Sequence, residues 1–265
     1  MGIVAVSGTA SGAGKTVTAA AIAALGLARG LSVAVVKLAQ IGLPRDLEEI
    51  ERLAPGTATY EYARYADVLS PAAAARYAGD RSLHLPAVAK SVAALDAEFD
   101  LVLVEGTGSL LERFGTDGWT LAELAWALQA PALVVTGTDR DAPGHTALVA
   151  ESLRMRGVQL AGVVIGSWPK DPDLVARCNV ADLEAVTGRP LAGVLPADAA
   201  DVLPADATGA YGARKRTWRD TSRPQHGEFL AIARESLDVA WGGHFDAAAF
   251  RDSADPTPAG TSITG

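Results

Sequence analysis

The sequence has little cysteine, no long apolar run and no excess of positive charge. Its single cysteine, Cys178, excludes an internal disulfide and is typical of a reducing compartment. No apolar run approaches the roughly 20 residues that a membrane-spanning helix needs. The first residues lack the charged and apolar regions of a signal peptide. We therefore expect a cytoplasmic protein that is not associated with a membrane.

The charge balance is acidic, with a net charge of -8. Such a balance argues against nucleic acid or an anionic membrane as a general partner. The one basic run, residues 213–216, is too short to change this, since four residues in an acidic chain are more often a solvated loop. With 49% hydrophobic and 20% charged residues, the chain can form a sizeable core.

A glycine-rich segment, residues 8–16, joins an apolar run at 3–6 to an Ala-rich stretch at 17–29. Strand, glycine loop and helix form the context that a phosphate-binding loop requires. Glycines let the backbone wrap an anion and turn N–H groups inward, and the helix start adds its positive dipole end. Lys15 could then reach the terminal phosphates, and the Thr16 hydroxyl could bind Mg²⁺.

The spacing within this loop is unusual, because five residues separate Gly8 from Gly14 where the common motif has four. A flexible connector is the alternative interpretation. We reject it because a linker has no reason to lie between an apolar strand and a helix, or to end in Gly-Lys-Thr.

Short apolar runs alternate with helical stretches along the first 200 residues. The runs show little polar alternation, which is typical of parallel strands that helices cover on both faces. We predict an α/β fold of three layers, with a mostly parallel sheet and helices on both faces. The predicted strands are 3–6, 32–36, 101–104, 132–135, 162–165 and, more weakly, 191–195; the predicted helices are 15–29, 46–54, 70–78, 86–98, 120–129, 143–156 and 171–187.

No repeat or linker divides the first 200 residues, so we predict a single domain over residues 1–245. Within it, residues 203–226 have no period and are predicted to be a loop insertion. Residues 227–241 have apolar spacing that suits a helix packed on the body. Residues 246–265 are predicted to be a disordered tail, which is rich in Pro, Gly, Ser and Thr from Arg251 onward.

Polar residues that follow the apolar runs are candidates for a site, because ligands bind outside the carboxyl ends of parallel strands. Lys37 follows the second run and would add a cation near Lys15. Glu105 follows the third run, where a carboxylate could bind Mg²⁺ together with the Thr16 hydroxyl. Asp46 has two interpretations, as an N-cap of a helix or as another magnesium ligand.

Two later segments are further candidates. Residues 137–145 lead into a helix whose N–H groups could hold a substrate carboxylate. His145 could instead have only a structural role at the helix start. Residues 166–169 could border a purine, although Trp168 could equally be a packing residue.

Taken together, these motifs resemble the dethiobiotin synthetase family. The phosphate loop is similar to the family's G-T-x-T-x-x-G-K-T, including the five-residue gap. The similarity covers roughly residues 1–200 and resumes weakly at 227–245. Five segments carry it besides the loop at residues 8–16. Residues 37–42 are similar to K-P-x-x-[ST]-G, residues 70–75 to S-P-x-x-A-A, and residues 105–109 to E-G-A-G-G. Residues 166–169 and 195–197 are similar to the family's nucleotide-base loops.

The resemblance implies an ATP- and Mg²⁺-dependent ligase of biotin biosynthesis. Such an enzyme carboxylates 7,8-diaminononanoate with CO₂ and closes a ureido ring through a carbamic-phosphoric anhydride. Lysines and Mg²⁺ would stabilise the transferring phosphoryl group. By match, Lys15 would hold the γ-phosphate, Lys37 would neutralise the carbamate, and Ser11 could donate to either. The implied metal ligands are Thr16, Asp46 and Glu105.

The family is a homodimer with its sites near the subunit interface, so residues 138–145 of a second copy would meet the substrate carboxylate. The implied partners are a diamine and CO₂ or bicarbonate. The implied nucleotide-binding residues are Gly12, Ala13, Gly14, Lys15, Thr16, Val17, Gly166, Ser167, Trp168, Pro196 and Ala197. The implied substrate-binding residues are Ile41, Glu105, Gly108, Thr138, Gly144 and His145.

The sequence also departs from the family pattern. Leu38 replaces a proline, Ile41 replaces a Ser or Thr, and Gly144 replaces a common Asn. The segment before Asp46 is short, which puts its reach to the metal in question. A paralogue that cyclises another diamine is therefore an alternative. A partitioning-type ATPase is a second alternative, although Ala10 stands where such proteins carry a signature lysine. A degenerate nucleotide-binding module is a third alternative.

Overall fold

The structure, a computed structural model, describes residues 2–42, 46–79, 82–115, 117–200 and 226–256. Within these ranges the strands are β1 (Gly2–Gly8), β2 (Val33–Lys37), β3 (Gln40–Ile41), β4 (Ala58–Glu61), β5 (Arg64–Tyr65), β6 (Leu101–Glu105), β7 (Ala132–Thr136), β8 (Leu160–Trp168) and β9 (Gly193–Pro196). The helices are α1 (Lys15–Ala28), α2 (Asp46–Leu53), α3 (Pro71–Ala78), α4 (Leu85–Asp96), α5 (Leu121–Ala127), α6 (Ala142–Met155), α7 (Leu174–Thr187), α8 (His226–Ser236) and α9 (Ala247–Ala254).

Seven strands form one sheet in the order β4-β2-β6-β1-β7-β8-β9, and each neighbouring pair is parallel. Successive side chains of a strand point to opposite faces. Along β6, Val102 and Val104 belong to one buried apolar cluster and Leu101 and Leu103 to another. Helices α3 to α7 contribute to the first cluster, and α1, α2 and α8 to the second. The predicted α/β fold, with helices on both faces, is confirmed.

The differences from the sequence predictions lie in short or polar elements. β4 is a half-buried edge strand, and β3 and β5 pair as a separate two-stranded sheet of two residues each. None of these has the apolar run that marks a strand buried on both faces. Helix α7 begins at Leu174, three residues later than predicted, because the Asp173 side chain caps it by accepting the Ala176 N–H at 2.8 Å.

The C-terminal region differs from the sequence predictions at two points. Helix α8 ends at Ser236, earlier than predicted, and Leu237 then forms a β-bridge with Gly193. The predicted disordered tail is wrong for residues 247–254, which form α9. Asp246 caps this helix, and the Phe250 ring lies edge-on to Trp168 at 5.1 Å. The predictions for residues 203–225 and 257–265 lie outside the described residues.

Close backbone contact fixes the glycine-rich loop against the sheet. A Cβ on Gly166, in β8, would lie 2.1 Å from the carbonyl oxygen of Ala13. A Cβ on Gly14 would lie 2.3 Å from the carbonyl oxygen of Gly166, and Gly14 also has φ +94°. Only glycine avoids both clashes, so this pair sets the position of the loop over the sheet.

We expect Gly166→Ala to destabilise the protein and to weaken nucleotide binding, because the new methyl group pushes the loop away from β8. The expected loss in the free energy of unfolding is about 1–3 kcal/mol. Urea unfolding and titration with ATP measure the two effects. Gly227→Ala is the matched control, since a Cβ there meets nothing within 4 Å. Equal stability of Gly166→Ala and the unaltered protein would contradict this account.

Candidate active site

The site forms where β1, β2 and β6 end side by side. The register pairs Lys37 with Glu105 across β2 and β6, and Val6 with Glu105 across β1 and β6. Parallel strands end at the same edge of the sheet, so a lysine and a glutamate at these ends become neighbours. The loop that follows β1 lies at this edge as well. One strand register therefore brings three sequence-distant segments together.

The loop between β1 and α1 surrounds its lysine. Gly12 and Gly14 have φ values of +77° and +94°, which L side chains rarely adopt. Lys15 is the first residue of α1 and is buried, and its Nζ donates to the carbonyl oxygen of Ala10 at 2.9 Å. The lysine thus folds back over the loop that is expected to hold a phosphate.

Lys37 is the centre of a buried charged cluster. Its Nζ lies 2.7 Å from Glu105 Oε1 and 2.5 Å from Asp46 Oδ2, and it also donates to the carbonyl oxygen of Gly106 at 3.3 Å. The Thr16 hydroxyl donates to the same Glu105 oxygen at 2.9 Å. Lys37 is 2% exposed and Glu105 is fully buried. This cluster joins the phosphate loop to β2 and β6.

Burial and charge act differently on the two lysines. Burial lowers the pKa of Lys15 from its usual range, and the nearby Glu105 carboxylate opposes this only in part. Burial alone would also lower the pKa of Lys37, but Glu105 and Asp46 outweigh it and the pKa is raised. Lys37 therefore stays an ammonium ion at neutral pH, held between two carboxylates.

Asp46 does reach the cluster. It is the first residue of α2, and its backbone N–H donates to Gln40 Oε1 at 3.1 Å. Gln40 follows Lys37 by three residues and is 3% exposed. The segment before Asp46 is short, yet the hydrogen bond that Asp46 donates to Gln40 holds the start of α2 beside Lys37. Asp46 therefore reaches the charged cluster around Lys37, while its role as a metal ligand stays a prediction.

The oxygens around Glu105 suit a magnesium ion. Glu105 Oε2 is buried and has no hydrogen-bond partner among the described residues. Such an atom is costly unless a cation or donor compensates it. Mg²⁺ prefers oxygen ligands and needs only one or two carboxylates beside phosphate and water. No group of three or more His, Cys, Asp or Glu able to hold a metal occurs in the described part.

These residues line one cavity of about 450 Å³. Lys15, Lys37 and Glu105 converge on it, as does Asp46. Its remaining lining residues are Ser11, Gly12, Gly14, Thr16, Val17, Glu48, Glu49, Thr107 and Gly108. Sequence reasoning did not assign three of these. Thr107 stands inside the quoted 105–109 segment and donates to the carbonyl oxygen of Ala39 at 2.5 Å; Glu48 and Glu49 follow Asp46 in the first turn of α2.

The predicted nucleotide-base residues lie along β8 and β9. Gly166 contacts the phosphate loop, and the buried Ala13 is its neighbour there. Trp168 packs edge-on against Phe250 of α9. Trp168 pairs with Pro196 in the sheet, and its carbonyl oxygen accepts the Ala197 N–H at 2.8 Å. Ser167 is half-buried beside them. None of Ser167, Trp168, Pro196 and Ala197 lines the cavity around Lys15.

The predicted substrate residues do not all meet in one chain. Gly108 and Glu105 line the cavity around Lys15, whereas Ile41 packs against the core. Thr138 lines a second cavity of about 380 Å³ between the end of β7 and the start of α7. Gly144 and His145 are exposed on α6 and line neither of these two cavities. Thr138, Gly144 and His145 therefore lie outside the lining of the cavity around Lys15.

The parallel sheet, the glycine loop and the lysines at its edge define a phosphate-loop nucleotide-binding protein. A family model described as an AAA domain matches residues 3–201. The MinC:MinD cell division complex of Aquifex aeolicus has a TM-score of 0.53 at 12% identity, covering 76% of this chain and 84% of that one. A ParA family ATPase of Chlorobium tepidum has a TM-score of 0.50 at 14% identity, covering 76% and 88%. These two likenesses show the fold alone.

Curated relatives are more specific. An ATP-dependent dethiobiotin synthetase BioD of Frankia casuarinae is 48% identical over 250 residues, which cover 93% of this chain and 96% of the relative. The protein of the same description from Streptomyces coelicolor is 50% identical over 204 residues, covering 75% and 85%. The chain belongs to the dethiobiotin synthetase family. The resemblance noted in the motifs is confirmed.

We expect Lys37→Met to lower the free energy of unfolding, because it leaves Glu105 and Asp46 facing each other without a counter-charge. Removal of one partner from a buried ion pair costs about 3–5 kcal/mol. Urea unfolding measures it, and Lys90→Met, at an exposed position of α4, is the control.

The double variant Lys37→Met/Glu105→Gln extends this test. It removes one of the two stranded carboxylates, so it should recover part of the lost stability. Additive losses in the double variant would show that the two side chains do not interact.

Proposed function

We propose that the chain catalyses the ATP-dependent carboxylation of 7,8-diaminononanoate and the closure of its ureido ring, as a ligase of biotin biosynthesis. The observation that supports this most is the convergence of Lys15, Lys37 and Glu105 on one cavity beside the phosphate loop. One ammonium group at the end of the phosphate loop and a second at the neighbouring end of β2 suit the transfer of a phosphoryl group to a carbamate. The family membership supports the same activity.

The proposed reaction has three steps. An amine nitrogen attacks CO₂, loses a proton and becomes a carbamate. A carbamate oxygen attacks the γ-phosphorus of ATP, and the bond between that phosphorus and the ADP oxygen breaks. The second amine then attacks the carbamoyl carbon and loses a proton, and phosphate leaves with the carbamate oxygen. The products are a cyclic urea, ADP and phosphate.

The charged side chains have separate tasks in this reaction. Lys15 would hold the γ-phosphate, because its Nζ lies over the loop. Lys37 would bind the carbamate and the charge that develops on the transferring phosphoryl group. Its raised pKa keeps it cationic for this purpose. Ser11 is exposed at the mouth of the cavity and could donate to the carbamate or the phosphate.

A magnesium ion, when bound, would neutralise charge on the phosphates. Thr16, Glu105 and Asp46 are the residues that would hold it. The buried, unpartnered Oε2 of Glu105 supports this assignment. We further propose that the nucleotide base binds near Gly166–Trp168 and Pro196–Ala197, at the edge of the sheet beyond the loop.

We also propose that the working unit is a homodimer. Gly144 and His145 are exposed and lie away from the cavity around Lys15, so they are free to meet the site of a second copy. In such a dimer, residues 138–145 of one subunit would face the substrate carboxylate in the other.

The paralogue with another diamine is the second candidate. Ile41 and Gly144 motivate this candidate, but Ile41 packs against the core and is not part of the cavity lining. This placement weakens the case that residue 41 selects the substrate. A panel of diamines separates the two candidates.

In the turnover assay, we expect ATP hydrolysis to require both 7,8-diaminononanoate and bicarbonate, with labelled carbon appearing in a cyclic urea. Lys15→Ala should abolish turnover, because the γ-phosphate loses its cation. ATP hydrolysis that is indifferent to every diamine would remove the proposal. Preference for a different diamine would replace the substrate but keep the chemistry.

Subunit mixing tests the homodimer. Lys37→Ala removes the carbamate cation, and Gly144→Asp places a negative charge where the substrate carboxylate is expected, so each variant alone should be nearly inactive. When equal amounts of the two variants reassociate at random, half of the dimers are mixed. Each mixed dimer has one intact site out of two. The mixture should therefore regain about a quarter of the unaltered activity. Sites contained in single chains would regain nothing.

A further inference from the structure

Thr107 follows β6 and is one of the residues that line the cavity around Lys15, where it is half-buried. Its hydroxyl donates to the carbonyl oxygen of Ala39 at 2.5 Å. A carbonyl oxygen only accepts hydrogen bonds, so this bond uses the one hydroxyl proton of Thr107. Toward a ligand in the cavity, the Thr107 oxygen therefore acts as an acceptor.

This acceptor lies beside Lys37. The Lys37 Nζ donates to the carbonyl oxygen of Gly106, the residue before Thr107, at 3.3 Å. Ala39, which accepts the bond from Thr107, follows Lys37 by two residues. The acceptor and the ammonium group are thus attached to the same two segments, at the ends of β2 and β6. A ligand group bound at Lys37 is consequently next to a fixed acceptor.

The two groups suit different atoms of one ligand. The Lys37 ammonium group suits the negatively charged oxygens of a carbamate. The Thr107 hydroxyl has no proton left for those oxygens, and it matches an N–H instead. A diamine supplies N–H groups directly beside the carbon of its carbamate. The pair therefore matches an amine nitrogen together with the carboxyl group that becomes attached to it.

The family patterns place a hydroxyl elsewhere. They have Ser or Thr at position 41 and Ala at position 107, whereas this chain has Ile41 and Thr107. Ile41 packs against the core and does not line the cavity. The chain has therefore lost a hydroxyl on the segment after β2 and gained one on the segment after β6, where it lines the cavity.

We propose that Thr107 is a substrate-binding residue: it accepts a hydrogen bond from one amine of the diamine and turns the lone pair of that nitrogen toward the carbon it attacks. This inference rests on the proposed function. An amine that is held by one N–H loses rotational freedom about its C–N bond, so more of the bound molecules have the reactive orientation. Thr107 orients the amine and takes no proton from it.

Steady-state kinetics of two variants test the proposal. Thr107→Val removes the hydroxyl at similar volume, and Thr107→Ser keeps it. We expect kcat/KM for the diamine to fall about tenfold in Thr107→Val, because one hydrogen bond to the substrate is lost, and to stay within about twofold in Thr107→Ser. The KM for ATP should change less than about twofold in both variants, because the phosphate oxygens do not donate to Thr107.

Two competitive inhibitors, 7-aminononanoate and 8-aminononanoate, show which amine meets the hydroxyl. Each keeps the carboxylate and one of the two amines. Thr107→Val should raise the inhibition constant of one inhibitor about tenfold and leave that of the other within about twofold, because a single hydroxyl accepts from a single nitrogen.

Thr57→Val is the matched control. Thr57 is buried, its hydroxyl donates to the carbonyl oxygen of Ala54 at 2.7 Å, and it does not line the cavity. The control loses the same kind of bond to a backbone carbonyl. It should become less stable to urea, while the kinetic constants and both inhibition constants stay unchanged.

The outcomes separate this inference from the proposed function. If the unaltered protein turns over no diamine, the proposed function fails, and the inference fails with it. If the unaltered protein is active but Thr107→Val keeps kcat/KM for the diamine within twofold, the inference alone is overturned. Equal weakening of both inhibitors, or of neither, also overturns it, since loss of the bond to Ala39 alone would affect both alike.

Discussion

The ion pair between Lys37 and Glu105 is the constraint on which the site depends. Their strands are adjacent and in register, so an ammonium group and a carboxylate must share the buried edge of the sheet. Neither could be buried alone at reasonable cost. Asp46, at the start of α2, contacts Lys37, and the Thr16 hydroxyl of the phosphate loop donates to Glu105. This charged cluster is thus buried at the edge of the sheet and also forms one wall of the cavity.

The close contact between Gly14 and Gly166 fixes the other wall. The loop cannot move closer to β8, because the two backbones are already in contact, and the bond from Thr16 to Glu105 ties it to β6. The nucleotide end of the site is therefore held between β8 and β6. Gly14 and Gly166 thus matter for more than their torsion angles. They set the distance between the loop and β8, and a side chain at either position would increase it.

Features that depend on local pattern could be predicted from the sequence. Apolar runs located the main strands, and the residues after them located Lys37 and Glu105. Parallel pairing puts the ends of both strands at one edge of the sheet, whereas the adjacency of β2 and β6 comes from the structure. By contrast, β3 and β5 are too short to show a hydrophobic pattern. Helix α9 was not predicted because it lies in a tail whose composition is typical of disorder. The hydrogen bond from the Asp46 N–H to Gln40 could not be predicted either, because the spacing of polar residues does not show which backbone group a side chain binds.

The sheet order also bears on the proposed dimer. Lys37 ends β2 and Thr138 follows β7, and the order β2-β6-β1-β7 separates these strands by three spacings, or about 14 Å. Lys37 and the segment that follows β7 therefore end strands that are not neighbours in the sheet. In the proposed dimer, the exposed Gly144 and His145 of a second copy would approach the cavity around Lys15 from outside the sheet. Phosphate chemistry and carboxylate recognition would then meet across the subunit interface, although their strands are separated within each chain.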